Sequence, residues 1–220
     1  MATDPAGTSA ASNPPPLSGR RGQAARNDAA ILAAAREVFL TDPKAPIAAV
    51  AERAGVGISA LYRRYPGKEE LLRRLCNDGL KTFIDEAEAA ATQPDGSRAF
   101  TTFLWRIVDA DVHSLTVHLA GTFTPTAPMH RDTERANALA TGLLERARAD
   151  GALRPGVVSA DITIVLEACA AIRIPADPER TRQLRRRCLA ALLDGMSSVH
   201  AEPLPGPPPG PGDLNWRWQR

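Results

Sequence analysis

Residues 55–72 read GVGISALYRRYPGKEELL. Small residues come first, then two tyrosines and two arginines, then a Pro-Gly break and a lysine. Just upstream, residues 47–54 read IAAVAERA, with Ile47, Val50, Ala51 and Ala54 on one helical face. Gly55 supplies the left-handed backbone that ends such a helix. A second short helix is predicted over residues 58–65, with Ile58 and Leu61 turned inward, and Pro66 and Gly67 stop it. Two short helices joined at a glycine, with the small Ala51 four residues earlier, have the spacing of a helix-turn-helix. Ala51 lets the helices cross closely, and Val56 fills the gap between them.

The second helix of such a pair can enter the major groove of DNA with its N-terminal residues towards the base edges. Here those residues are Gly57, Ile58, Ser59 and Ala60. Their small side chains allow close approach, Ser59 can donate or accept, and Ile58 is read chiefly as core. Tyr62, Arg63 and Tyr65 lie further along, suited to phosphates and groove walls, although Tyr65 also falls on the inner face beside Leu61. Arg63 and Arg64 point about 100° apart on a helix, so only one can face the groove. Arg63 is assigned to DNA and Arg64 to solvent. Lys68 opens the next helix, where an ammonium and free backbone N–H groups together make a phosphate anchor.

Charge agrees with this placement. Residues 20–74 hold 11 Lys and Arg against 6 Asp and Glu, whereas residues 75–220 hold 16 against 18. The basic balance therefore sits in the segment that carries the motif, as a polyanion partner requires. Arg20, Arg21 and Arg26 precede it, either as an arm reaching DNA or as a disordered basic tail.

The rest of the chain reads as helix. Of 220 residues, 44% are hydrophobic but only 5% aromatic, so the core is built from Ala, Leu, Val and Ile. Ala and Leu favour helix, and no stretch alternates with period two for long enough to make a strand. Helices are predicted over residues 27–40, 47–54, 58–65, 68–91, 97–119, 131–150, 159–174 and 177–200, with Asn27 as the first N-cap. The expected class is all-α: an N-terminal three-helix DNA-binding domain over residues 20–67 and a helical regulatory and dimerisation domain over 68–200. Residues 1–19 and 201–220 are Pro-, Gly- and Ala-rich tails expected to lack structure. Trp216 and Trp218, at the end of the second tail, belong to a loose end or dock on the body or a partner.

No apolar run approaches the roughly 20 residues of a membrane span. Cys76, Cys169 and Cys188 form no CxxC pair and suit a reducing cytoplasm as small buried hydrophobes. His113 and His118 are five apart, off a shared helical face, so no metal site is read. No nucleophile–base pattern or Gly-rich phosphate loop stands out, and no cofactor or enzymatic activity is expected.

The segment IAAVAERAGVGISALYRRYPGKEELL resembles the DNA-binding domain of TetR/AcrR-family transcriptional regulators. The resemblance rests on Ala54, Gly55 and Val56 at the turn, Leu61 and Tyr62, the aromatic Tyr65, and Lys68, Glu69, Glu70 and Leu71 at the fourth helix. It covers roughly residues 26–75. LLERARADGALRPGVVSADI, residues 143–162, is similar to the family's junction between its seventh and eighth helices. Departures are Gly57 where serine is common, Ser59 and Ala60 before Leu-Tyr, Tyr65 for phenylalanine, and Pro46 for a threonine.

The resemblance implies a homodimeric regulator, most often a repressor, that binds a double-stranded DNA operator and a small-molecule effector. Effector contacts are expected from Trp105, Asp109, His113, Phe123 and Met129. Residues 97–119 present either a pocket wall, with Trp105, Asp109 and His113 along one stripe, or simply one dry and one wet face. A dimer interface is expected from Leu166, Leu184, Cys188, Ala191, Leu192, Gly195 and Met196. The alternatives are an all-α protein-interaction module and a helical small-molecule binder without DNA binding.

Overall fold

A computed structural model describes residues 17–119, 121–199, 202–210 and 213–214. Nine helices are present among them: α1 (Leu17–Thr41), α2 (Ile47–Ala54), α3 (Ile58–Arg64), α4 (Lys68–Ala91), α5 (Gly96–Ala110), α6 (Val112–Leu119), α7 (Ala127–Ala149), α8 (Ser159–Ala171) and α9 (Pro178–Gly195). A lone antiparallel pairing of Leu153 with Ser197 is the only extended contact among the described residues.

Two hydrophobic cores organise these helices. One gathers Ile31, Ala35, Phe39, Val50, Leu61 and Leu72 from α1–α4, together with Leu115, Leu119, Phe123 and Met129 from further along the chain. The other gathers Phe100, Phe103 and Ile107 of α5 with Leu143, Leu144, Leu166 and Leu189 of α7–α9. α4 belongs to both cores, through Leu72 and Cys76 in the first and Ala87 and Ala90 in the second. It packs against α1, α5, α6 and α7, so it is the rod that joins the two halves.

Several boundaries differ from the pattern reading, each for a local reason. α1 begins at Leu17 instead of residue 27, because the Arg-Gln-Ala run after the proline cluster carries enough helix propensity. Asn27 is therefore inside the helix, accepting from Gln23 at 2.8 Å, and caps nothing. The helix expected over residues 97–119 is two helices, parted at Asp111 with φ 52°. Asp is among the few side chains that tolerate this left-handed conformation. α7 starts earlier, at Ala127, capped by Thr126 with Pro128 in its first turn. α8 and α9 end earlier, at Ala171 and Gly195.

The approach of α5 to α7 depends on Gly96, where an added Cβ would sit 2.8 Å from the Arg146 backbone. Asp150 then accepts from the amides of Gly96 and Ser97 at 2.8 and 3.0 Å, capping α5 from across the contact. The start of the C-terminal tail is tied down as well, since Arg154 donates to the Glu202 carbonyl at 2.9 Å and Leu204 packs on the second core. Trp216 and Trp218 lie outside the described residues.

Candidate nucleic-acid interface and regulatory region

The turn between α2 and α3 is closed by Gly55 at φ 65°, with the amides of Gly55 and Val56 bonded back to Glu52 and Ala51. Buried Ala51 and Leu61 let α3 seat across α2. Seating one side leaves the opposite side bare. Gly57, Ile58, Ser59, Tyr62 and Arg63 are exposed, and Ala60 is half-buried. Ile58, expected to face inward, is instead 41% exposed, beside Tyr62 at 47%. Ile58 with Tyr62 and Ser59 with Arg63 form two adjacent i, i+4 rows on the exposed side of α3. Among the described residues, neither the Tyr62 nor the Arg63 side chain has a hydrogen-bond or ion-pair partner.

α3 is held to α1 by a polar clamp that sequence reasoning missed. Arg64, assigned to solvent, pairs with both carboxylate oxygens of Asp28 on α1, at 2.7 and 3.1 Å. Tyr65 is buried, and its hydroxyl donates to Asp28 at 2.7 Å, so it is an anchor of α3 rather than a groove contact. Hydrogen bonds from Arg64 hold the Asp28 carboxyl below its usual range. Burial pushes the Tyr65 hydroxyl up to about 12, aided by its bond to Asp28. The available signal was an acidic residue at position 28 in a basic stretch, but its partners are more than thirty residues away.

Lys68 also differs from expectation. Its ammonium turns inward, donating to the carbonyls of Pro43 and Ala45 at 2.8 Å each and lying 5.0 Å from the Phe39 ring. Burial lowers its pKa. The side chain thus ties the start of α4 to the loop between α1 and α2. Arg26 lies on α1, bonded to Gln23 at 2.8 Å, so a helix stands where a free arm was one of the readings.

Residues 31–75 match the family model described as bacterial regulatory proteins, tetR family. Residues 95–198 match a second model, the C-terminal domain of transcriptional regulators of the SbtR-like type. The chain belongs to the TetR family. No curated protein matches the chain in sequence. Solved structures share the fold. SCO0520 from Streptomyces coelicolor is 23% identical with a TM-score of 0.53, covering 79% of this chain and 99% of that one. PfmR from Thermus thermophilus is 19% identical with a TM-score of 0.60, covering 74% and 97%. LfrR from Mycobacterium smegmatis, solved in complex with proflavine, is 24% identical with a TM-score of 0.55, covering 80% and 98%. The fold is thus that of a TetR-family DNA-binding transcriptional regulator, with a helix-turn-helix domain followed by a helical domain.

In this TetR-family chain the five residues expected around an effector do not converge. Trp105 and Asp109 face α9, where the Arg186 guanidinium lies 5.4 Å from the indole and 3.6 Å from the Asp109 carboxylate. Phe123 and Met129 are buried in the N-terminal core. His113 lines a small space of about 10 Å³ between α5, α6, α8 and α9. A larger surface groove of about 430 Å³ runs between α4 and α7, past Ala138, Leu139 and Gly142, and contains none of the five. Asp111 turns the chain, so Trp105 and His113, expected along one stripe, sit on different helices.

The expected interface residues divide too. Leu166 and Met196 are buried in their own domain's core, and Cys188 and Leu192 pack against it. Leu184 and Gly195 are half-buried and Ala191 is exposed. The outward stripe of α8 is Ile164, Ala168 and Ala171, with Ile164 43% exposed. An all-round apolar helix gave no way to tell the inner stripe from the outer one.

Proposed function

We propose that this protein is a ligand-responsive repressor that binds double-stranded DNA as a homodimer in the cytoplasm. The observation that carries the DNA-binding face is the bare side of α3. There Ile58 and Ser59 stand at the groove end, and Tyr62 and Arg63 face outward without a partner among the described residues. Ile58 offers an apolar contact to a thymine methyl, Ser59 a hydrogen bond to a base edge, and Tyr62 and Arg63 contacts to phosphates. Gly57 and Ala60 let the backbone come close. Lys68 and Tyr65 contribute by holding α3 and α4 in position.

The dimer is assigned to α8 and α9. A stripe of Ile164, Ala168 and Ala171 beside Leu184 and Ala191 offers apolar and small surface for a second copy. A two-fold dimer places two α3 helices at half-sites about one DNA turn apart. The effector is a small molecule taken up by the helical domain, by analogy with the proflavine complex of LfrR.

The test is recovery of genomic fragments by the purified chain, followed by titration of one recovered fragment at several salt concentrations. Saturable, sequence-selective binding whose affinity falls steeply with salt supports the reading. Binding to protein partners alone, with no fragment enriched, rejects it.

A further inference from the structure

The corner between α5 and α6 concentrates charge that the DNA-binding face does not use. The Asp111 carboxylate is shared by three side chains from three helices. Arg185 of α9 pairs with Oδ1, Arg36 of α1 pairs with Oδ2 at 2.7 Å, and the Ser114 hydroxyl donates to Oδ1. Arg36 donates to the Asp111 carbonyl as well. Arg185 is buried, and it also donates to the carbonyls of Ile172 at 2.9 Å and Ala170 at 3.3 Å.

Beside this cluster lies the small cavity, walled by Ile107, Val108 and Leu166 and bounded on its polar side by Asp111, Arg185 and His113. The Nε2 of His113 is buried and has no partner among the described residues. A buried polar atom left unbonded is costly, and in native structures it commonly marks a function. Two guanidinium groups face one carboxylate, and of the two Arg185 is buried while Arg36 is partly exposed, so the surplus positive charge on the cavity side lies with Arg185. Arg185 has five N–H donors, and three described partners take part of that capacity. A surplus guanidinium, an unbonded imidazole nitrogen and an aliphatic wall together complement a carboxylate on an apolar body.

We propose that this corner recognises a small carboxylic acid with an apolar body, and that its entry shifts Asp111 and, through Arg36, moves α1. The inference rests on the ligand-responsive reading above. At about 10 Å³ the cavity has room for roughly one water, so any such ligand must part the corner from α8 and α9. Asp111 travels with the corner, and Arg36 ties α1 to it. α1 carries Asp28, which clamps Arg64 and Tyr65 of the DNA-binding helix. Ligand and DNA therefore compete through one rigid helix that carries both ion pairs, Asp28 at its middle and Arg36 two turns further on, and the coupling is reciprocal.

The experiment uses the full chain with octanoate and 4-phenylbutyrate, their uncharged amides, and chloride or phosphate alone. Melting temperature reports binding, and affinity for a recovered genomic fragment reports coupling. The acids are expected to raise the melting temperature and to weaken DNA binding about tenfold or more. The amides are expected to be at least about tenfold weaker as ligands. His113→Phe and Arg185→Lys should each erase the preference for acid over amide, the first serving if the second fails to fold. Arg36→Met should keep acid binding yet lose most of the effect on DNA. Amides equal to acids, stabilisation by inorganic anions alone, or acids that do not bind would each overturn the site. If neutral or cationic compounds release DNA while acids do not, this site fails and the ligand-responsive reading stands. That reading falls only if DNA affinity withstands neutral, cationic and anionic compounds alike.

Discussion

On the outer face of α3, Tyr62 and Arg63 stand in solvent with no partner among the described residues. At the α5–α6 corner, Arg36, Asp111 and Arg185 hold one another, and the group left over is the buried Nε2 of His113. Exposed unpaired groups are hydrated and cost the fold almost nothing, so they can be kept free for a polyanion. A buried unpaired group costs stability in the state that buries it. The first region is a ready-made surface, and the second is a strained junction whose energy depends on what else enters it. The same contrast holds within α3, where Arg63 has no partner among the described residues and its neighbour Arg64 is clamped to Asp28.

Removing the free surface should have the largest effect. Replacing Tyr62 and Arg63 together by alanine is expected to weaken operator binding roughly a hundredfold to a thousandfold with little change in melting temperature. A comparable loss of stability would mean that the surface is structural after all. Gly96→Ala tests close packing away from both regions. The added methyl meets the Arg146 backbone and is expected to cost about 2 kcal/mol in denaturant unfolding.

Breaking the clamp reverses the pattern of the first variant. Asp28→Ala should cost about 2 kcal/mol of stability, because it leaves Arg64 and the Tyr65 hydroxyl without their acceptor. Its pH signature follows from the lowered Asp28 pKa. The folded state favours the carboxylate, so this stabilisation is present above about pH 4 and is lost as pH falls through the lowered value. Acid unfolding of the variant should therefore be less steep in that range.

At the corner, burial depresses the His113 pKa from 6.5 to about 4. The unfolded chain binds the proton more readily, so stability is full above pH 6.5 and falls as pH drops towards 4. His113→Phe should remove that slope, of order 2 kcal/mol, and leave stability at neutral pH equal or higher. A slope unchanged in this variant would show that His113 is not the group responsible. The smallest effect is expected for Lys68→Met. Losing two hydrogen bonds while keeping the apolar stem should cost about 1 kcal/mol, with a salt dependence of DNA binding close to that of the unaltered chain.

The sequence made the free region legible and hid the paired one, for a physical reason. The helix-turn-helix is written in local spacing: Ala51 before Gly55, then Leu61 four residues before Tyr65. Exposure of Tyr62 and Arg63 follows once Leu61 is inward. The all-α class and the order of helices followed from composition and from Pro and Gly breaks. What escaped were tertiary pairings between distant positions, namely Asp28 with Arg64, Lys68 with Pro43 and Ala45, and Asp111 with both Arg36 and Arg185. Nothing in the local pattern around Asp111 announces that it, and not a glycine or proline, divides residues 97–119 into two helices. The inner and outer stripes of α8 were equally hidden, because both are apolar.

Of the two adjacent arginines, Arg63 is proposed to meet DNA, whereas Arg64 holds α3 to Asp28. The most direct measurement is the salt dependence of affinity for one genomic fragment, compared among the unaltered chain, Arg63→Ala and Arg64→Ala, each with its melting temperature. Arg63→Ala should weaken binding with a salt slope shallower by about one phosphate contact and an unchanged melting temperature. Arg64→Ala should lower the melting temperature and leave the slope close to that of the unaltered chain. The reverse assignment, or identical slopes in all three, would contradict it.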